Sequence, residues 1–151
     1  MTTNQPFSLL RAIPIVALWF CFGCGQQSGP PLAKVSGTVT LDGQPVQSAG
    51  LEFIADAGGV AYGKTDASGH YYMSFGNSRT GALVGKNLVR ITSNDKVVVG
   101  DKKYESTEVF PKKYNANSEQ FVEVAKGSNT FDFKCESGDF KPRREVSRGG
   151  N

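Results

Sequence analysis

A chain of 151 residues with 18 glycines, 11% aromatics and a formal charge of +3 has room for one ordinary hydrophobic core and little room for a second. Rich in glycine and aromatics and without long runs of Ala, Leu, Glu and Lys, it favours turns and strands over helices, an all-β expectation. Residues 141–151 carry +3 through Lys141, Arg143, Arg144 and Arg148 against Glu145, residues 1–23 carry only Arg11, and residues 24–140 sum to −1, which excludes the clustered basic face of a nucleic-acid-binding domain.

Residues 12–22 form an apolar run of 11 residues directly after Arg11. Crossing a bilayer takes about 20 helical residues, so this run fits the apolar region of a signal peptide. It stops at Gly23-Cys24, and a polar Gly/Pro linker, Gly25-Gln26-Gln27-Ser28-Gly29-Pro30-Pro31, follows. This arrangement resembles the lipobox of bacterial lipoproteins, with Cys21 where that family usually has Leu and Phe22 where it usually has a small residue. Were Cys21 the acceptor, bulky Phe20 would precede the cut, so Cys24 is the better candidate. The resemblance implies cleavage after Gly23, acylation of Cys24 and a lipid tether to the cell membrane or outer membrane. An uncleaved apolar anchor or an ordinary secretory signal would export the domain equally.

Cys21 leaves with the signal and Cys24 would carry lipid, so Cys135 has no partner for an internal disulfide. It alternates with Phe131 and Phe133, which predicts a buried, unreactive thiol.

Beyond the linker the chain reads as short alternating strands. Val35, Gly37, Val39 and Leu41 share one face, with Ser36, Thr38 and Thr40 on the other. Asp42-Gly43-Gln44-Pro45 ends that strand, Leu51 and Phe53 open the next, and Ala61 to Thr65 form a third. Asp66-Ala67-Ser68-Gly69 is the clearest turn: Asp accepts turn amides with its carboxylate and Gly closes with a positive φ, so it should join a hairpin. Past it, Tyr71, Met73 and Phe75 face one way and His70, Tyr72 and Ser74 the other. Residues 86–93 put Val89 and Ile91 inward and Arg90 and Thr92 outward. Gln120–Val124 and Thr130–Cys135 complete seven strands, joined to each other by a tight hairpin at Lys126-Gly127-Ser128-Asn129.

The stretch 95–118 is the one long insertion and has weak periodicity. Loops beyond about 12–15 residues are uncommon in compact domains and enriched in function. Lys102, Lys103, Tyr104, Lys112, Lys113 and Tyr114 place cations beside aromatic rings there, a mixture suited to sugars or acidic polymers, which makes them the candidate ligand-binding residues. As a packed surface crossover, the same segment would use its aromatics as anchors.

The strand Val35-Ser36-Gly37-Thr38-Val39-Thr40, the turn Asp42-Gly43-Gln44-Pro45-Val46 and the run Gly63-Lys64-Thr65-Asp66-Ala67-Ser68-Gly69-His70-Tyr71 together resemble the carboxypeptidase-regulatory-like domains. The likeness covers roughly Lys34 to Cys135, and Lys113-Tyr114-Asn115 matches a segment often found before the final hairpin in small lipoproteins of this kind. It implies a transthyretin-like (prealbumin-like), seven-stranded antiparallel β-sandwich and little chemistry, since a fold does not supply a ligand. The expected organisation is a signal peptide over 1–23, lipidated Cys and linker over 24–33, the sandwich over 34–135 and a basic disordered tail over 136–151.

No catalytic constellation stands out. His70 is the single histidine, the tail Pro142-Arg143-Arg144-Glu145-Val146 lacks the C-terminal motif of transthyretin-like hydrolases, and no His/Cys/acidic cluster suggests zinc or another metal. Asp66, Ser68 and His70 sit together as turn formers rather than a triad. Lys34, Asn129 and Glu52 carry no motif for an internal isopeptide bond. The expectation is a non-catalytic, cofactor-free envelope lipoprotein that binds a protein or polysaccharide. A purely structural envelope role is the alternative, and a transthyretin-like hydrolase comes last. Tyr62, Tyr72, Tyr104 and Tyr114 would serve such binding where they reach the surface.

Overall fold

A computed structural model describes residues 1–2, 30–93, 96–104 and 108–142. The apolar run 12–22 of the expected signal peptide, Cys24 and Arg143 to Asn151 lie outside the described residues. The rest is all-β: β1 (Leu32–Leu41), β2 (Gln44–Gln47), β3 (Gly50–Ala55), β4 (Val60–Lys64), β5 (His70–Phe75), β6 (Arg79–Thr80), β7 (Ala82–Leu83), β8 (Gly85–Thr92), β9 (Val97–Val99), β10 (Lys102–Tyr104), β11 (Phe121–Val124), β12 (Ser128–Thr130) and β13 (Phe133–Cys135), with one 3-10 turn at Lys112–Tyr114. All seven expected segments form strands. The count rises to thirteen among the described residues because the last segment is split and five short strands, β2, β6, β7, β9 and β10, are added.

The ladders run β10-β9-β2-β1-β5-β4-β3-β8-β11, with β7, β12 and β13 also beside β1 and β6 beside β5. The sheet doubles over, so that Phe53 on β3 meets Phe133 on β13, strands that share no ladder, with ring centroids 6.2 Å apart. β1 is the hub. Antiparallel to it run β7 at Leu32–Ala33, β5 at Ser36–Thr38 and β2 at Thr40–Leu41, while β12 and β13 pair with it in parallel at Lys34–Ser36 and Val39–Leu41. The period of two explains why one strand suffices: Val35, Val39 and Leu41 enter the core while Ser36, Thr38 and Thr40 face outward, half-buried.

Two expectations about the C-terminal strands are corrected. The sheet is not wholly antiparallel, because β12 and β13 run parallel to β1. Nor do the last strands form a hairpin: β11 pairs with β8, and among the described residues no ladder joins it to β12. Side-chain chemistry at the turn accounts for this. The Asn129 amide accepts from Ala125 N (2.9 Å) and donates to Ala125 O (2.8 Å) and Lys34 O (3.2 Å), so it closes 125–129 without cross-strand bonds and hands the chain to β1.

The break between β12 and β13 has an equally local cause. At Phe131-Asp132 the register with β1 continues unchanged, but the ladder is interrupted: Phe131 N donates to Ser36 O (2.9 Å), and the Asp132 carboxylate accepts from both Thr38 N (2.9 Å) and Thr38 Oγ (2.8 Å) in place of a ladder bond. The close approach requires glycine at 37, because a Cβ there would lie 1.9 Å from Phe131 O. The buried Tyr71 hydroxyl donates to that same carbonyl at 2.7 Å. Burial and the nearby Asp132 charge push the Tyr71 phenol pKa well up.

Around this junction sits an aromatic core. Phe53 packs against Tyr71 (6.5 Å), Phe131 (6.1 Å) and Phe133 (6.2 Å), and Tyr71 stacks on Phe133 at 6.1 Å. Such pairs contribute about 0.5–1.5 kcal/mol each beyond area burial. Val39, Leu51, Val89 and Ile91 fill the space between. Cys135 is a free, buried thiol, as its alternation with Phe131 and Phe133 predicts, and burial pushes its pKa up to about 12 against a small opposing pull from Lys113.

The folded β-domain does not end at Cys135, which moves the expected start of the tail. Glu136 N donates to Tyr114 Oη (2.9 Å), and Ser137 binds the Asp42 carboxylate through its amide (2.9 Å) and hydroxyl (2.6 Å). Residues 136–137 are therefore scaffold. The two hydrogen bonds hold the Asp42 carboxyl below the usual aspartate range.

Candidate binding surfaces

The Asp66 turn joins β4 to β5 as the sequence predicts, and its carboxylate is spent on the turn itself. Asp66 Oδ1 accepts from Ser68 N (2.9 Å), Ser68 Oγ (2.7 Å) and His70 N (2.9 Å), while Gly69 closes with φ +78°. The Ser68 hydroxyl thus donates its hydrogen bond to Asp66 and the bond to His70 uses its backbone, so the three residues are turn formers. Those bonds lower the Asp66 pKa, led by the Ser68 hydroxyl and then the His70 amide. Asn129 donates to the backbone carbonyl of Lys34, and Glu52 lies on β3 between β4 and β8. Among the described residues no group of three His, Cys, Asp or Glu side chains comes together, and no helix is long and apolar enough to cross a membrane.

The insertion is only partly the surface loop expected. Its first half forms β9, which pairs with β2, and the short β10 beyond it. Val97, Val109 and Phe110 are fully buried, so the segment completes the core. A strap fixes it to the end of β8: the Ser93 hydroxyl donates to Glu108 Oε1 (2.7 Å) and accepts from Val109 N (2.6 Å), and Phe110 N donates to the same carboxylate oxygen (2.9 Å). Farther along, the buried Asn115 amide donates to Phe110 O at 3.2 Å.

The six candidate residues separate within it. Lys102 and Lys103 are exposed on β10, with Tyr104 at its end, while Lys112 and Lys113 are exposed on the 3-10 turn. Tyr114 is half-buried, its ring edge-on to Phe110 at 6.5 Å, its hydroxyl held by Glu136 N and Lys113 Nζ 5.0 Å from the ring centroid. This tyrosine works as an anchor. Lys102 also borders an open cleft of about 410 Å³ whose apolar floor (Leu41, Val99, Val109) is rimmed by Asp42, Asp101 and Lys141.

A second surface lies on the outward face of the hub, where β12, β1 and β5 run side by side. Register places Thr130 opposite Ser36 and Ser36 opposite Tyr72 in one row, with Ser128 opposite Lys34 beside it. Tyr72 is 69% exposed, yet its ring is braced by the His70 imidazole edge-on at 4.7 Å. Tyr62 on β4, 54% exposed, pairs with Ser74 and so stands diagonally beside Tyr72. Between Tyr72 and β12 runs a groove of about 300 Å³ lined by residues 34–36 of β1, Thr80 and Ser128 to Thr130. Alternation at Tyr72 and Ser36 foretells that both face outward. What brings Ser128, Asn129 and Thr130 alongside is a parallel pairing across more than 90 residues of chain, which no local pattern encodes.

No family model matches this chain, and none of the curated proteins or solved structures matches it either.

Proposed function

We propose that this chain is an exported, non-catalytic envelope lipoprotein, tethered through an acylated Cys24, whose β-sandwich of the carboxypeptidase-regulatory-like kind acts as a binding module for an envelope protein or polysaccharide. One observation carries the binding reading: Tyr72 and Tyr62 present exposed rings on the outer face of central strands, where a purely structural sheet has no need of them. The apolar run ending at Gly23-Cys24 supports the tether. Nothing in the reading requires a metal, a cofactor or nucleic acid.

Retention of the detergent-solubilised protein on isolated envelope fractions tests it. A saturable isotherm, weakened when Tyr62 and Tyr72 are both changed to Ala, is expected; non-saturable retention, equal in the two proteins, would make the role purely structural. For the tether, labelled palmitate should enter the wild type and not Cys24→Ser. Equal labelling of both would overturn the assignment.

A further inference from the structure

Resting on the binding-module reading, we infer that the ligand is an acidic polysaccharide and that its site is the groove on the outer face of β1, β5 and β12, with Tyr72 as its platform. Three features of that groove point the same way.

The first is unspent hydrogen-bonding capacity. Elsewhere hydroxyls are committed inside the protein: Thr38 to Asp132, Thr65 to Val46 O, Ser93 to Glu108, Ser118 to Val89 O and Ser137 to Asp42. The side chains of Ser36, Thr80, Ser128 and Thr130, which edge the groove, make no hydrogen bond to another described residue. Each offers one donor and two acceptor positions, the complement of a sugar hydroxyl, which is itself both donor and acceptor.

The second is the braced ring. A pyranose has a face of C–H bonds that packs on an aromatic plane and a rim of hydroxyls that seeks polar partners. Tyr72 offers the plane and the row Ser36–Thr130 offers the partners, at adjacent register positions. His70 against the ring edge reduces the rotamer freedom lost on binding. Tyr62, diagonally one strand over, adds a second exposed ring at the spacing of cross-strand diagonal neighbours, roughly 7–8 Å, so the surface suits an extended chain.

The third is charge. The groove lining includes one charged residue, Lys34, and no Asp or Glu, and the neighbouring Asp132 carboxylate is already bonded to Thr38. That composition favours a sugar bearing a carboxylate over a neutral one, with a contribution that salt screens.

Affinity electrophoresis of the full-length protein in gels containing polygalacturonate, with dextran as the neutral control, tests the inference. Polygalacturonate should retard the wild type and dextran should not. Tyr72→Ala should weaken the apparent affinity about tenfold or more, as expected for an aromatic anchor. Tyr72→Phe, which keeps the ring, should stay within about twofold, showing that the loss comes from the platform and not from misfolding. Lys34→Gln should weaken binding a few-fold and flatten its salt dependence. Joint replacement of Lys102, Lys103, Lys112 and Lys113 by Gln should leave retardation by polygalacturonate in place. Loss of retardation in that quadruple variant with no loss in Tyr72→Ala would overturn the groove as the site and leave the binding-module reading standing. No retardation in polygalacturonate, alongside saturable retention on envelope protein, would overturn the polysaccharide class.

Discussion

In the 96–118 segment, Phe110 and Tyr114 turn toward the molecule, Glu108 is consumed by Ser93 and the Phe110 amide, the Asn115 amide by the Phe110 carbonyl, and the lysines are left as an exposed fringe. On the outer face of β1, β5 and β12 the disposition is reversed: the ring of Tyr72 projects outward, the hydroxyls around it bond to no other described residue, and a single lysine lines the groove. In sequence the two regions look alike, or the insertion looks the better site. The difference teaches that cations beside aromatics mark a binding surface only where the rings are not already employed in packing. A strand fixed on both edges leaves its outward side chains idle, whereas a long crossover must use its own side chains to stay ordered.

The sharpest way to break the comparison is to attack the scaffold that holds the outer face. Gly37→Ala should abolish cooperative folding or cost more than about 3 kcal/mol, because its Cβ meets the Phe131 backbone and no flexible side chain can yield. Phe133→Ala should cost about 3–5 kcal/mol through the loss of buried aromatic packing. Denaturant unfolding measures both; a near-wild-type midpoint for Phe133→Ala would mean the register of β13 is shifted by one residue.

Next comes the insertion. If it is scaffold, Phe110→Ala should lose about 3–5 kcal/mol and deletion of Asp101–Asn117 should unfold the domain, since Val109 and Phe110 go with it. A deletion that leaves the far-ultraviolet spectrum intact would return the segment to the status of a separable loop.

Acid and alkali probe the hydrogen bonds that fix the two surfaces. Ser137 bonds to Asp42, Ser68 and His70 bonds to Asp66, and Thr38 bonds to Asp132 lower each carboxyl below its unfolded value. Their stabilisation is therefore complete above the unfolded aspartate pKa of about 4 and is lost as pH falls below it. The combined D42N, D66N and D132N variant should show a flatter acid limb in a plot of stability against pH; an unchanged limb would remove these contacts from the account. At the other extreme, Cys135 is raised to about 12 and Tyr71 is raised as well, so both resist ionisation when folded. Stability should decline as pH rises beyond about 9, where the unfolded thiol ionises first. In the native protein Cys135 should stay unmodified by an aromatic disulfide reagent and react on unfolding.

The smallest effect on stability is expected at the proposed site. Tyr72→Ala should change it by no more than about 0.5 kcal/mol, because the ring is exposed and its hydroxyl bonds to no described residue. A loss above that would mean the ring is structural.

Much of the scaffold was legible. Strict alternation placed Val39, Tyr71, Met73, Val89, Ile91 and Cys135 inward, and the Asp66 and Asp42-Gly43 turns announced themselves through residues whose chemistry requires a turn. What escaped was nonlocal. Lys126-Gly127-Ser128-Asn129 has hairpin composition, yet Asn129 satisfies Ala125 by itself and sends β12 to β1, and Asp132 replaces a ladder bond and splits one expected strand in two. The weak periodicity of 95–118 hid buried Val109 and Phe110 because two adjacent buried residues fit neither a strand nor a helix pattern. The outer groove was legible by half: Tyr72 and Ser36 face outward by alternation, but their neighbours Ser128 and Thr130 arrive only through the parallel register.

The central claim, that the hub face and not the insertion meets the ligand, is tested most directly by backbone amide chemical-shift mapping of the isotopically labelled protein during titration with oligogalacturonate. The account predicts progressive shifts at Lys34–Ser36, His70–Tyr72, Thr80 and Ser128–Thr130, with 109–118 unmoved. Shifts concentrated at Lys102, Lys103, Lys112 and Lys113, with Tyr72 and Thr130 silent, would contradict it.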